Sequence, residues 1–458
     1  MIEAIFGVFG LIALLTFRFV TPATAVATIC LAGWLLLPVG NYPPGSAAAT
    51  FPYWITGTAV PSDMLLTKMW WPPAVALLGA ILTDRKTLAQ FRVSRTDVPI
   101  AMWCLWPIVQ WPFVESPEPP PWIASLYLVG AWGTPWYLGR LYFWGSHGGK
   151  VLIQALEAGL VVITPVALVE SFLGPKVYGW FYDTHPFRND GVERYLGFRP
   201  LGFFENGNQY GIWAAVTAFA AIWLWQSAPA SKTRNLLAVL AALGVVIALA
   251  SQSVGAIALL CVGLALCWGV GRFSMRGVLV LGLLLAVTAG AVYLSGAIPL
   301  RSIAENTAIG RHVVNMVRSS GRGSFTWRLA RDQTALRLID ENPIVGAARW
   351  DWWRENGERP WSLAFLIVGQ FGVVGLVLAF GSLLIPVFLS FVGHAWPAAL
   401  LTQPERALGA IVLIATVDAL LNSFFFYPAI LAAGALGTTR PSRKIESFVR
   451  GFQVAGTK

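Results

Sequence analysis

The chain has 458 residues, of which 56% are hydrophobic and only 12% charged. A water-soluble domain of this length cannot hide so much apolar surface, which excludes a soluble globular protein and leaves one whose exterior is covered by lipid. The net charge of +10 then reads as anchoring at a cytoplasmic membrane face, and nucleic acid is excluded as a partner.

Hydrocarbon offers the backbone no hydrogen-bond partners, so each apolar run must be a helix that satisfies itself. The expected class is an all-α, polytopic integral membrane protein. Apolar runs lie at about 3–17, 20–38, 66–83, 98–114, 122–139, 151–172, 208–226, 236–250, 254–269, 277–296, 363–391, 406–421 and 424–438, which makes about twelve or thirteen transmembrane helices. Residues Met1 to Phe6 carry no basic stretch, so the first helix is expected to remain in the mature protein. Cys30, Cys104, Cys261 and Cys267 all fall inside apolar runs without metal-site spacing.

Basic residues sort the loops. Arg85, Lys86, Arg92 and Arg95, then Arg140 and Lys150, Lys232 and Arg234, Arg272 and Arg276, and finally Arg440, Arg443 and Lys444 mark one side as cytoplasmic. The chain thus divides into N-terminal helices (1–172), an outer loop (173–207), central helices (208–296), a long outer loop (297–362), C-terminal helices (363–438) and a cytoplasmic tail (439–458).

The segment 297–362 runs against this charge rule. It holds ten arginines (Arg301, Arg311, Arg318, Arg322, Arg328, Arg331, Arg337, Arg349, Arg354 and Arg359) and no lysine. Charge alone would be served by either cation, whereas arginine adds a planar fork that grips carboxylate or phosphate oxygens bidentately. The plainer reading pairs these arginines with Glu305, Asp332, Asp340, Glu341, Asp351, Glu355, Glu358 or lipid headgroups. Within the segment, Ser324 opens a helix running to about Asp340, with Phe325, Leu329, Leu336 and Ile339 on one side, until Asn342 and Pro343 stop it. Such a helix suits either a surface over a lipid-phosphate site or ordinary packing.

Residues 199–211 read Arg-Pro-Leu-Gly-Phe-Phe-Glu-Asn-Gly-Asn-Gln-Tyr-Gly, just ahead of the 208–226 run. In Arg199, Gly202, Phe203 and Asn208 this resembles the O-antigen ligase and polymerase family, with Gly207 where that family usually has proline. Arg328, Ala335, Pro343, Ile344 and Gly346 follow in the family's order, then Gly369, Gly372 and Gly375, then Asp418, Leu420, Asn422 and Ser423. The likeness spans about residues 190–435. Three positions depart from it. Ser253-Val254-Gly255 lacks the family's middle arginine, Glu358 to Ser362 lacks the histidine typical of ligases, and Asp332 replaces a tryptophan.

The resemblance implies a fold like that of the GT-C membrane glycosyltransferases. It also implies transfer of a glycan from an undecaprenyl-diphosphate-linked oligosaccharide to an acceptor glycan or glycolipid, at the periplasmic face of a bacterial inner membrane. The missing histidine favours a polymerase over a ligase that modifies lipid A-core. Membrane lipids, a chain-length regulator and a flippase are the further partners implied. The leaving diphosphate develops charge that guanidinium groups can stabilise, while a carboxylate takes the acceptor proton. Arg199 and Arg328, with Arg322, Arg331 and Asn208, are therefore expected to hold the diphosphate. Asn208 would add its amide and the open N–H groups of a helix start. Glu205, Asp351 and Glu358 are the candidate bases. His147, His185, His312 and His394 are scattered, so neither metal nor cofactor is expected.

Two rival readings attach to other features. Trp350, Trp352, Trp353 and Trp361, and Tyr178, Trp180, Phe181 and Tyr182, suit either sugar stacking or an interfacial aromatic belt. A transporter or flippase of lipid-linked oligosaccharide would share the helices, but no inverted internal repeat is visible.

Overall fold

The computed structural model describes residues 2–39, 66–182, 185, 193–194, 196–273, 284, 287–288, 290–296, 302–303, 306–319, 324–353, 359–392 and 404–437. The expected cytoplasmic tail and half of the run 277–296 lie outside these residues. The described chain is mostly helical, and its strands are limited to a two-residue ladder between β1 (Glu193–Arg194) and β2 (Gly197–Phe198).

Helices α1 (Ile2–Thr16) and α2 (Pro22–Leu36) form a hairpin, with Thr21 capping α2 and Pro22 opening it. The run 66–83 becomes helical only at α3 (Trp71–Thr83). Pro72 and Pro73 suit a first turn and lack the N–H groups that an earlier start would need. Then come α4 (Val98–Gln110), α5 (Pro121–Leu128) and α6 (Thr134–Tyr142), the last two fused through a π turn at Val129–Gly133. The central set is α7 (Gly145–Leu173), α8 (Gly207–Ser227), α9 (Lys232–Ala250) and α10 (Val254–Phe273). Two helices, α11 (Ala308–Ser319) and α12 (Ser324–Ile339), precede α13 (Leu363–Val392), α14 (Pro404–Leu421) and α15 (Pro428–Leu436).

Among the described residues, three helices are long and apolar enough to cross a membrane: Gly145–Leu173, Lys232–Ala250 and Leu363–Ser390. Their outward faces carry exposed Val161, Val162 and Leu168, Val239 and Val246, and Val373, Val377 and Ile385. Apolar faces left bare by the fold suit lipid chains. At the centre, α8 is buried without interruption from Gln209 to Leu224 and packs on α7, α9, α10 and α14, as a helix apolar all round must.

The bundle has two distinct ends. At the basic end, Arg140 makes a buried ion pair with Asp97 at 2.9 Å and donates to the Arg92 carbonyl, while Trp136 donates to the same carboxylate. Thr96 and Ser94 hold the carbonyl of Gly437 there. At the opposite, loop end, the tip of α4 meets a broken helix. Residue Gly372 interrupts α13 with φ +70°, a left-handed conformation that favours glycine. The carbonyls released by the break are all taken. Gly369 and Gln370 accept the N–H groups of Ala347 and Ala348, Gln110 donates to Gln370, and Trp106 donates to Phe371 at 2.7 Å. In return Val373 and Val374 donate to Pro343 and Ile344, so irregular backbone is tolerated here because protein satisfies it.

The run 424–438 is helical only from Pro428. Proline disfavours helix in the residue before it, and Phe424, Phe425, Phe426 and Tyr427 cross the core as non-helical chain with each ring at most 1% exposed. Their rings tie the bundle together: Phe425 stacks on Trp132, Phe426 meets Trp213, and Tyr427 stacks on Trp34.

A Cβ on Gly372 would sit 1.9 Å from the Ile344 carbonyl oxygen. Gly372→Ala is therefore expected to cost at least about 2 kcal/mol from strain and clash together. Thermal unfolding in detergent should register it as a lower midpoint, whereas Gly255→Ala, with nothing within 4 Å, should leave the midpoint nearly unchanged.

Candidate functional site

The segment 197–208 is built around one carboxylate. Glu170, fully buried near the end of α7, accepts the N–H of Leu201 at 2.7 Å and of Gly202 at 2.6 Å on one oxygen, and that of Val177 at 3.1 Å on the other. Paired backbone N–H groups form a ready anion site, and here the protein fills it with its own side chain. Gly202 makes the turn possible with φ +57°.

Two further clamps fix the far side of this segment. Asn206 caps α8 by accepting from the N–H groups of Asn208 and Gln209 at 2.9 and 3.0 Å, and Gln209 in turn accepts the N–H of Glu205 at 2.8 Å. The start of α8, expected to present open N–H groups to an anion, is thus closed by its own cap. Arg199 donates through Nε to the Ser251 carbonyl at 3.0 Å, and through Nη2 to the Gly207 carbonyl and to Oδ1 of Asn208 at 2.9 Å. Arg199 and Asn208, both expected to grip a diphosphate, are tied to one another and to the turn before α10. The Ser251 carbonyl, at the C-cap of α9, has no intrahelical partner and needs such a donor.

Between the clamps, Phe203, Phe204 and Glu205 present a compact ionisable cluster. Lys68, in the turn before α3, is 8% exposed and donates to the Phe203 carbonyl at 2.6 Å. Its ammonium lies 5.3 Å from the Phe204 ring and 5.8 Å from the Trp34 ring, within reach of cation–π attraction. A ring nitrogen of His185 is hydrogen-bonded to the Phe204 carbonyl at 3.0 Å, and the ring meets Tyr178 edge-on. Glu205 is 6% exposed and close enough to Lys68 to act on its charge. Burial brings the Lys68 ammonium down to about 7, against the opposing pull of Glu205. Burial also lowers His185; the Phe204 carbonyl counters this and Lys68 adds to it.

The arginine-rich segment docks separately. On α12, Asp332, Ala335 and Ile339 share a buried face, and Ile339 packs on Phe365 and Val368 of α13. Asp332 accepts the Tyr293 hydroxyl at 2.5 Å and the N–H of Trp361 at 3.1 Å, so a buried acid helps to dock α12. Arg331 is half-buried beside it. The side chain of Arg328 and all of Arg322 and Glu358 lie outside the described residues. Asp351 pairs with Arg349 at 3.4 Å, and the turn holding it is sewn to Glu118 through the N–H of Glu118 on Ala348 and that of Trp350 on Glu118. Trp350 and Trp353 are buried packing groups, whereas Trp180 and Phe181 stand exposed at 60% and 63%.

Glu205 alone of the three candidate bases is thus seen within the cluster of Arg199 and Asn208. Lys68, His185 and Glu170 are what sequence reasoning missed. Lys68 and Glu170 sit at the edges of apolar runs and were absorbed into them; only the cost of a charge inside such a run marked them out. Among the described residues no three His, Cys, Asp or Glu side chains are grouped to hold a metal ion. Searches of known proteins match the chain to no family model and to no curated protein.

Two acids of α7 make a controlled comparison, because Glu157 Oε1 has no hydrogen-bond partner among the described residues while both Glu170 oxygens are used. Glu170→Gln sets an amide donor against backbone donors, at about 1–3 kcal/mol for each buried group left unpaired. It should lower the unfolding midpoint and speed hydrogen exchange at Leu201 and Gly202. Glu157→Gln should do neither.

Proposed function

We propose that the protein is a multi-pass membrane glycosyltransferase of the polysaccharide-polymerase type. In this reading it moves a glycan from an undecaprenyl diphosphate carrier to an acceptor sugar hydroxyl at the periplasmic face of a bacterial inner membrane. The observation that carries the reading is the 199–208 segment itself. Arg199, Gly202, Phe203 and Asn208 of the family resemblance lie there at the loop end of an apolar bundle, with the acid Glu205 held between two backbone clamps. Basic residues crowd the opposite end, around Arg92, Arg95 and Arg140, which supports a cytoplasmic orientation for that end.

The chemistry asks for two things. The acceptor hydroxyl attacks the anomeric carbon as the bond from that carbon to the diphosphate oxygen breaks; the hydroxyl proton passes to a carboxylate and the diphosphate leaves on its lipid. Glu205 is the proposed proton acceptor. Negative charge on the departing diphosphate falls to the arginines of α12, Arg328 and Arg331, since Arg199 is spent on holding Asn208 and Gly207. Arg199 then acts by keeping Glu205 and Asn208 in place.

Purified full-length protein incubated with a lipid-linked glycan should produce longer glycans and free diphosphate carrier, equally well in EDTA. A transporter would give neither product. Arg328→Lys keeps the charge but loses the fork, which should cost roughly 2 kcal/mol or more in the transition state, or about 30-fold in rate. Arg311→Lys, on the exposed side of α11, should leave the rate unchanged.

A further inference from the structure

Polar groups that face hydrocarbon need a reason, and α7 carries two of them near its middle. The helix runs for 29 residues from Gly145 to Leu173, about 43 Å at 1.5 Å per residue. With α7 across a membrane, Gln154 and Glu157 lie within about 8 Å of the helix midpoint to its basic side, well inside a hydrocarbon core about 30 Å thick. Gln154 is exposed. Glu157, at the edge of the same face, is half-buried, and its Oε1 has no hydrogen-bond partner. Neither side chain makes a hydrogen bond or an ion pair among the described residues.

The same face carries more. Pro165 has no N–H to give the Val161 carbonyl, so an acceptor there is short of its helical donor, and Ala158, Val161 and Leu168 stand exposed around it. By contrast, the exposed positions of α9 between Leu236 and Leu249, and of α13 between Val373 and Leu389, are all apolar. Lipid tails suit those two faces and fail this one, because hydrocarbon offers an amide or a carboxyl group no hydrogen bond. A partner that brings polar groups to this depth is another helix.

We propose that the α7 face around Gln154 and Glu157 is a dimer interface, on which a second copy of this chain packs its own α7. The face is self-complementary: Gln154 brings two N–H donors and Glu157 brings carboxyl oxygens. A two-fold axis along the membrane normal sets Gln154 of each copy against Glu157 of the other, so the contact forms twice per dimer. The two positions differ in height by three residues, about 4.5 Å, which two long side chains span. The small Ala158 beside them is exposed and lets the two backbones approach closely. This face points away from the side of α7 that packs on α8 and α14, so pairing leaves the bundle and the 199–208 segment undisturbed. The interface does not depend on the proposed reaction.

The test uses purified full-length protein in liposomes, with donor and acceptor dyes on separate copies and energy transfer read as lipid is added. Transfer should fall on dilution along a monomer–dimer curve. Gln154→Leu and Glu157→Leu should each weaken association about tenfold. The double variant should be no weaker than either alone, because the two groups share one contact. Glu157→Gln, which still pairs as an amide, should stay within about twofold of the wild type. A second measurement leaves both groups intact: with Cys30, Cys104, Cys261 and Cys267 replaced by alanine, Ala158→Cys should form a disulfide between copies, and Val246→Cys, on the exposed face of α9, should not. Transfer no higher than random collision at every dilution would overturn the proposal and leave a helix of a different protein as the occupant. So would association indifferent to Gln154→Leu and Glu157→Leu, losses that add in the double variant, or crosslinking equal at Ala158→Cys and Val246→Cys.

Discussion

A single buried carboxylate organises the loop end of this protein. Glu170 receives three backbone N–H groups from two separate pieces of chain, Val177 on one side and Leu201 with Gly202 on the other. An anion in an apolar interior is costly unless it is fully hydrogen-bonded, and unpaired backbone N–H groups are costly in the same way. Each need answers the other, so neither the helix end nor the loop is stable without its counterpart. Everything downstream inherits this registration: the turn at Gly202, the carbonyls of Phe203 and Phe204 that receive Lys68 and His185, and the Asn206 cap that starts α8.

The same economy recurs where α13 breaks. The carbonyls released at Gly369, Gln370 and Phe371 are met by Ala347, Ala348, Gln110 and Trp106, and the turn at 343–348 becomes an inseparable part of the helix it interrupts. Among the described residues, irregular backbone includes the 197–206 segment, the 343–348 turn with Gly372, and Phe424–Tyr427. Each is paired to another element or encased in aromatic rings. Such pairing fixes irregular chain where helices alone would leave its polar groups unmet.

Much of the helical pattern was legible from hydropathy. The runs 208–226 and 236–250 appear as Gly207–Ser227 and Lys232–Ala250, since nothing in those stretches competes with the 3.6-residue period. Legibility failed at prolines and at broken backbone. The run 424–438 is apolar throughout, yet Pro428 and the aromatic tetrapeptide before it make only its second part helical, and hydropathy carries no trace of that choice. For the site, the segment 199–208 was readable as a unit, including Glu205. Its partners were not, because Lys68 lies 135 positions from its carbonyl partner and His185 19 from its own, and both reach the segment through carbonyls, which have no sequence signature. Glu170 was concealed by its own neighbours, an acid at the edge of a long apolar run.

The proposed function requires a diphosphate-linked lipid to bind both at this segment and at the arginines of α12. Photo-crosslinking tests it directly: full-length protein in lipid nanodiscs is irradiated with a polyprenyl diphosphate bearing a diazirine beside the phosphates, and the labelled peptides are mapped. Labels should fall within 193–210 and 324–353 and be competed away by unlabelled lipid-linked glycan. Labelling confined to the basic end, around 85–97 and 140–150, or insensitive to the competitor, would contradict the account.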